Sequence, residues 1–151
     1  MLSHMIVLAT QRQDGQFDKG GKPYILHQLK VMHHLKTDDE QLMAIAVGHD
    51  LIEDTFGTDE LSRRQGLQFL TARGFSSRIT QAIDNLTKRD GESHEDYKRR
   101  VMSHPDSIKV KMADLRHNSD ILRLKNKVIT EKDVTRTREY HEFYLELEAA
   151  L

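Results

Sequence analysis

Thr37-Asp38-Asp39-Glu40-Gln41-Leu42-Met43-Ala44-Ile45-Ala46-Val47-Gly48-His49-Asp50-Leu51-Ile52-Glu53-Asp54-Thr55 opens on a T-x-x-E pattern, runs apolar on nearly every side, and then gathers four ionisable residues. Thr37 to Glu40 has the form of a capping box, so a helix is expected to begin there. Leu42, Met43, Ile45, Ala46, Val47, Leu51 and Ile52 leave that helix no polar face, which places it at the centre of the fold. His49, Asp50, Glu53 and Asp54 interrupt the run. On one continuous helix, spacings of three and four would collect them on one side within about a turn. Buried without partners, three carboxylates would cost on the order of several kcal/mol. Either a positive charge sits among them or the helix end opens to water, and the same helix has no lysine or arginine to supply that charge.

The flanking segments read as further helices. Residues 24–35 place Ile25, Leu26, Leu29, Met32 and Leu35 on one face, behind a polar, glycine-rich loop over 14–22. Thr58-Asp59-Glu60 starts a helix that runs to about Ala72 and stops at Gly74. Ile79, Ile83 and Leu86 mark another over 76–86, then a turn over 87–91 and a short helix over 93–102. Pro105 suits a first helical turn and leads into Ile108, Met112 and Leu115. Residues 131–151 are amphipathic, with Val134, Tyr140, Phe143, Tyr144 and Leu147. Few stretches alternate with period two. The expected fold is all-α, a compact single-domain bundle of six to eight helices spanning residues 1–151.

Composition narrows the chemistry. The chain has no cysteine, which excludes a thiol nucleophile, a thiolate metal site and a disulfide framework. A net charge of -1 argues against a general nucleic-acid binder. No apolar run approaches the ~20 residues of a membrane span. Residues 1–10 carry a short apolar patch without a basic flank or cleavage signal, so a cytoplasmic protein with neither membrane nor nucleic-acid partners is expected.

Two more residues stand out. His27 lies beside Ile25, Leu26 and Leu29; alone, it would read as a hydrogen-bonded core histidine. Asp114 lies in Lys111-Met112-Ala113-Asp114-Leu115-Arg116-His117-Asn118; alone, it would read as a cap or as the partner of Arg116. Asn118 follows Asp114 at i+4 and faces the same way. Taken together, His27, His49, Asp50 and Asp114 offer two imidazoles and two carboxylates from three separate helices. That mixed nitrogen and oxygen set suits a divalent ion such as Mn, Fe or Zn, with positions left open to water.

The ordered pattern H…HDxxED…ADxxHN, with the loop Gly15 to Tyr24 before it, resembles the HD-domain metal-dependent phosphohydrolases. Within them it is most similar to the hydrolase domain of the RelA/SpoT family and the small alarmone hydrolases. The resemblance covers about residues 9–124 and implies one metal ion, usually Mn²⁺, on His27, His49, Asp50 and Asp114. It implies that Glu53 and Asp54 handle the attacking water, that Asn118 contacts the substrate sugar, and that Lys19 lies beside the base. The implied reaction removes the 3′-pyrophosphate from (p)ppGpp, leaving GDP or GTP. Lys22, Lys88, Arg89 and Arg116 are further candidates for cationic contacts with the nucleotide. The chain departs from the family at three places: Asp18 stands where an arginine is usual, Gln13 replaces a histidine and Gln28 a proline. Asp18 favours one rival, a related activity on another nucleotide (5′-nucleotidase, triphosphohydrolase or phosphodiesterase); a second rival, a non-catalytic nucleotide-sensing module, is opposed by the presence of both Glu53 and Asp54.

Overall fold

A computed structural model describes residues 1–124 and 128–151. Nine α-helices occur among them: α1 (Leu2–Arg12), α2 (Ile25–His34), α3 (Glu40–Gly48), α4 (Leu51–Thr55), α5 (Glu60–Ala72), α6 (Ser77–Leu86), α7 (His94–Val101), α8 (Pro105–Asn118) and α9 (Glu131–Ala150). A 3₁₀ turn covers Ile121–Arg123. No strand is present among the described residues; a single antiparallel bridge between Phe17 and Pro23 closes the glycine-rich loop. No helix of the described residues is long and apolar enough to cross a membrane.

The all-α expectation holds, and most helix ends fall where capping chemistry puts them. The side chains of Asp59, Ser76 and Ser93 accept from the first-turn amides of α5, α6 and α7, as N-caps do. Thr130 and Asp133 form a reciprocal capping box on α9. At α3 the cap is Asp39, which accepts from the amides of Gln41 and Leu42 at 3.1 and 3.2 Å. Thr37, the expected cap, stands two residues outside, its hydroxyl accepting from the Asp39 amide at 3.1 Å.

Two expectations need correction. First, residues 40–55 are not one helix. α3 ends at Gly48, and Asp50 takes φ -100° and ψ 0°, a turn conformation, before α4 begins. The apolar pattern runs straight through this break because both short helices are buried, so periodicity cannot reveal it. Second, the described residues hold nine helices where six to eight are expected, because this break divides one and residues 2–12 add another, α1, with Met5, Leu8 and Ala9 buried. Gly48 makes the close packing of α1 on α3 feasible: a Cβ there would lie 2.7 Å from the Met5 sulfur.

α3 is the centre of the bundle, with Ala44, Ile45, Ala46 and Val47 fully enclosed. α2 and α8 pack beside it and against each other, and α9 lies along α8. This arrangement brings His27 on α2, the turn after α3 and Asp114 on α8 to one place. Arg12, at the end of α1, donates to the Thr55 carbonyl at 3.0 Å and lies 4.2 Å over the Phe56 ring, tying α1 to α4.

Candidate metal centre and adjoining nucleotide pocket

His27, His49, Asp50 and Asp114 converge. His27 Nε2 lies 3.0 Å from Asp114 Oδ1 and 3.9 Å from Asp50 Oδ2. His49 Nε2 lies 3.2 Å from Asp50 Oδ2 and 3.4 Å from Asp114 Oδ1. Ligand atoms of His27, His49 and Asp50 all fall within 4.8 Å of one another. Both histidines are almost wholly enclosed, at 2% and 3% exposure.

The ring orientations suit a cation. His49 Nδ1 lies 2.7 Å from the Ala46 carbonyl, a contact in which Nδ1–H donates and the lone pair stays on Nε2. That Nε2 is buried and has no hydrogen-bond partner, although carboxylate oxygens bracket it. His27 Nδ1 lies 2.7 Å from His117 Nδ1. Burial, and then the positive charge of Arg123, depress the His117 pKa to about 4, so His117 is neutral near pH 7 and can accept from His27. Such outer partners fix the tautomer and aim of a metal-ligating imidazole.

The carboxylates are similarly braced. Tyr24 donates to Asp50 Oδ2 at 2.7 Å. Asn118 donates to Asp114 Oδ1 at 3.0 Å and Lys111 to Oδ2 at 2.8 Å. The partner of Asp114 is therefore Lys111, one turn before it, and not Arg116, which faces solvent. Lys111 is also the positive charge that the acidic cluster requires, supplied from another helix. Burial opposes charge on Lys111, but Asp114 beside it holds its pKa well above the ordinary value. His49 behaves the same way: burial lowers its pKa, and the pull of Asp50 and Asp114 outweighs burial. The cluster thus demands positive charge between its carboxylates.

Glu53 lines a cavity of about 180 Å³ together with Tyr24, Asp50, Lys88 and Lys111, and its Oε1 accepts from the Lys88 amide at 2.9 Å. Asp54 sits to one side, where Gln13 Nε2 lies 3.4 Å from its Oδ2. Removal of its carboxyl from water, and then the charges of Asp50 and Glu53, push its pKa up to about 7.

A second cavity, of about 290 Å³, adjoins the first and shares Tyr24, Asn118 and Tyr140 with it. Lys19 lines it from the glycine-rich loop, together with Arg123, Arg136 and Tyr140. Asp18 accepts from the Lys22 amide at 2.9 Å and from Arg123 at 3.2 Å. Arg123 donates in addition to the His117 carbonyl at 3.0 Å and to Asn118 Oδ1 at 3.2 Å. Gly20 fits closely here, since a Cβ would lie 2.4 Å from the Arg123 carbonyl oxygen. Of the other cations considered, Lys88 reaches the smaller cavity. Arg89 pairs with Asp84 instead, and Arg116 lines a separate depression with Lys36 and Lys109.

Sequence reasoning missed Arg123, Arg136 and Tyr140. Arg123 sits in a 3₁₀ turn too short to show periodicity. The residues from α9 lie on a helix whose only visible signal is amphipathic.

The helical bundle thus gathers a buried histidine–aspartate cluster at one place. No protein-family model matches the chain. By sequence it is homologous to enzymes of the SpoT/RelA group. It is 31% identical over 127 residues to the bifunctional (p)ppGpp synthase/hydrolase SpoT of Escherichia coli, covering 78% of this chain and 17% of that protein. The guanosine-3′,5′-bis(diphosphate) 3′-pyrophosphohydrolase of Haemophilus influenzae is 29% identical over 126 residues, which is 74% of this chain and 17% of the relative. A GTP pyrophosphokinase of Streptomyces coelicolor is 32% identical over 153 residues, which is 93% of this chain and 16% of the relative. The chain therefore spans only about a sixth of the length of these relatives. By fold it matches a solved structure described as a metazoan orthologue of SpoT that hydrolyses ppGpp, with a TM-score of 0.75 and 17% identity over 97% of this chain and 84% of that one.

Proposed function

We propose that the protein is a metal-dependent phosphohydrolase that removes the 3′-pyrophosphate from (p)ppGpp. The observation that carries this reading is the buried, unpartnered His49 Nε2 held between Asp50 and Asp114. In this reading His27, His49, Asp50 and Asp114 hold one divalent cation, Mn²⁺ by the chemistry of two imidazoles with two carboxylates. When bound, such an ion lowers the pKa of its water to about 7 in favourable sites and offsets charge on phosphoryl oxygens.

The rest falls to the chain itself. Glu53 and Asp54 orient the water and accept its proton; Asp54, poised near neutrality, suits that transfer. The water oxygen forms a bond to phosphorus as the bond from phosphorus to the ribose 3′-oxygen breaks. That 3′-oxygen takes up a proton, and pyrophosphate leaves. Lys88 and Lys111 line the smaller cavity and face the phosphates. Asn118, at the junction of the two cavities, reaches the sugar. Lys19, Arg123, Arg136 and Tyr140 enclose the nucleoside end. Cytoplasmic residence accords with a soluble nucleotide as substrate.

The test is incubation of the protein with ppGpp and Mn²⁺, with pyrophosphate and GDP quantified as products. Stoichiometric release of both supports the reading. Release of orthophosphate, or turnover of other nucleotides while ppGpp stays intact, contradicts the substrate assignment. Asp18 makes that comparison worth running, because an acid has replaced the arginine usual at this point of the loop.

A further inference from the structure

Gln13 and Gln28 are polar residues with no place in the metal cluster, yet both are enclosed, at 3% and 0% exposure. They touch each other: Gln28 Nε2 donates to Gln13 Oε1 at 3.2 Å. The other end of the Gln13 amide, Nε2, lies 3.4 Å from Asp54 Oδ2. A carboxamide has one donor end and one acceptor end, so a partner on one end fixes the direction of the other. With Gln28 donating to its oxygen, Gln13 must turn its N–H toward Asp54. The reverse orientation would set oxygen against carboxylate and nitrogen against nitrogen.

The surroundings favour a precise placement. Gln16 Nε2 donates to the Asp54 carbonyl at 3.1 Å, and Arg12 donates to the Thr55 carbonyl at 3.0 Å. The segment after α1 therefore grips α4 at two successive residues, and Gln13 is the member that reaches the side chain. Gln28 follows the candidate ligand His27 directly on α2, so the hydrogen-bond chain spans from that helix to Asp54. The Gln28 Oε1 atom is buried without a partner, an unfavourable arrangement of the kind found where a polar group serves the site.

We propose that Gln13 is a positioning residue, holding the Asp54 carboxylate in the orientation from which it takes the proton of the attacking water, and that Gln28 sets the direction of the Gln13 amide. This rests on the hydrolytic reading above. Misplacing a catalytic group by a fraction of its working geometry costs rate and leaves binding intact, so Gln13→Met should lower kcat roughly 10–100-fold with KM within about threefold. Mn²⁺ affinity, read by titration calorimetry, should not change. Gln13→His keeps an N–H donor near the same point and should recover most of the rate lost in Gln13→Met. The pH–rate profile carries a further signature. A donor to a carboxylate favours its charged form, so losing that donor moves the acid limb to higher pH.

The decisive comparison is a double-mutant cycle. If Gln13 acts through Asp54, adding Gln13→Met to Asp54→Asn brings no further loss beyond Asp54→Asn alone. Losses that multiply, or a folded Gln13→Met with kcat within about twofold of wild type, overturn the proposal. Should Gln13→Met fail to fold, Gln28→Met gives the same readouts, with a smaller loss of kcat and no loss of metal. Should the wild-type protein hydrolyse no ppGpp, the hydrolytic reading is what fails. The Gln13–Asp54 contact is then read from the ¹³C carboxyl titration of Asp54. A higher midpoint in Gln13→Met supports the contact, and equal midpoints remove it.

Discussion

The metal cluster and the nucleoside-side cavity share Tyr24, Asn118 and Tyr140, yet they are built in opposite ways. The cluster is made from the inward faces of α2 and α8 and the turn after α3, and each candidate ligand side chain has a second partner that fixes its aim: Ala46 for His49, His117 for His27, Tyr24 for Asp50, and Lys111 with Asn118 for Asp114. The cavity is made from a glycine-rich loop, a 3₁₀ turn and the outer helix α9, and its cations are Lys19, Arg123 and Arg136. A substitution in the cluster disturbs several bonds at once. In the cavity wall Asp18 pairs with Arg123, which keeps two further bonds of its own. Under the proposed function, reaction chemistry and substrate choice would sit on different parts of the fold.

Substitutions in each part, and a change of pH, probe that contrast. The largest effect should come from His49→Ala or Asp114→Ala. Loss of one ligand removes Mn²⁺ binding and lowers turnover by roughly 10³-fold or more, as expected where the ion both supplies the nucleophile and offsets phosphoryl charge. A calorimetric titration and a pyrophosphate-release assay read the two outcomes, and retained metal affinity in both variants would break the cluster assignment. Next, Glu53→Gln should keep the metal and lose about 10²–10⁴-fold in kcat, the range for a positioned base. Unchanged turnover would remove Glu53 from the mechanism.

Arg123→Ala tests the cavity. It should raise KM for ppGpp about tenfold while kcat stays within about threefold, because it removes binding common to ground and transition states. Asp18→Ala should act in the same direction and more weakly, since Arg123 keeps its bonds to the His117 carbonyl and Asn118. A fall in kcat alone would place Arg123 with the cluster instead. The gentlest probe is pH. Asp54, with its pKa pushed up to about 7 in the metal-free cluster, must be deprotonated to accept a proton, so activity should fall with falling pH on a limb below that value and level off above it. Positive charge in the cluster moves the limb to lower pH, and Asp54→Asn should abolish it.

Much of the molecule is legible in the residues because helix caps are local chemistry. Asp59, Ser76, Ser93, Pro105 and Thr130 each announce an end that the fold honours. The convergence of His27, His49, Asp50 and Asp114 is legible too, since ionisable residues inside apolar runs have few other uses. The break after Gly48 is hidden because the buried apolar run Ala44–Val47 resumes at Leu51 and Ile52 on its far side. The pairing of Asp114 with Lys111 instead of Arg116 depends on which face of α8 meets the core. Arg123 and Tyr140 reach the cavity through tertiary packing alone, so no local pattern marks them.

The central claim is that one divalent cation sits among these four side chains. Crystals grown with Mn²⁺ and measured at the manganese absorption edge test it directly. A single anomalous peak about 2.0–2.3 Å from His27 Nε2, His49 Nε2 and a carboxylate oxygen of each of Asp50 and Asp114 is the predicted result, within the spread of metal–ligand distances for nitrogen and oxygen donors. A peak elsewhere, or none at saturating Mn²⁺, contradicts the account.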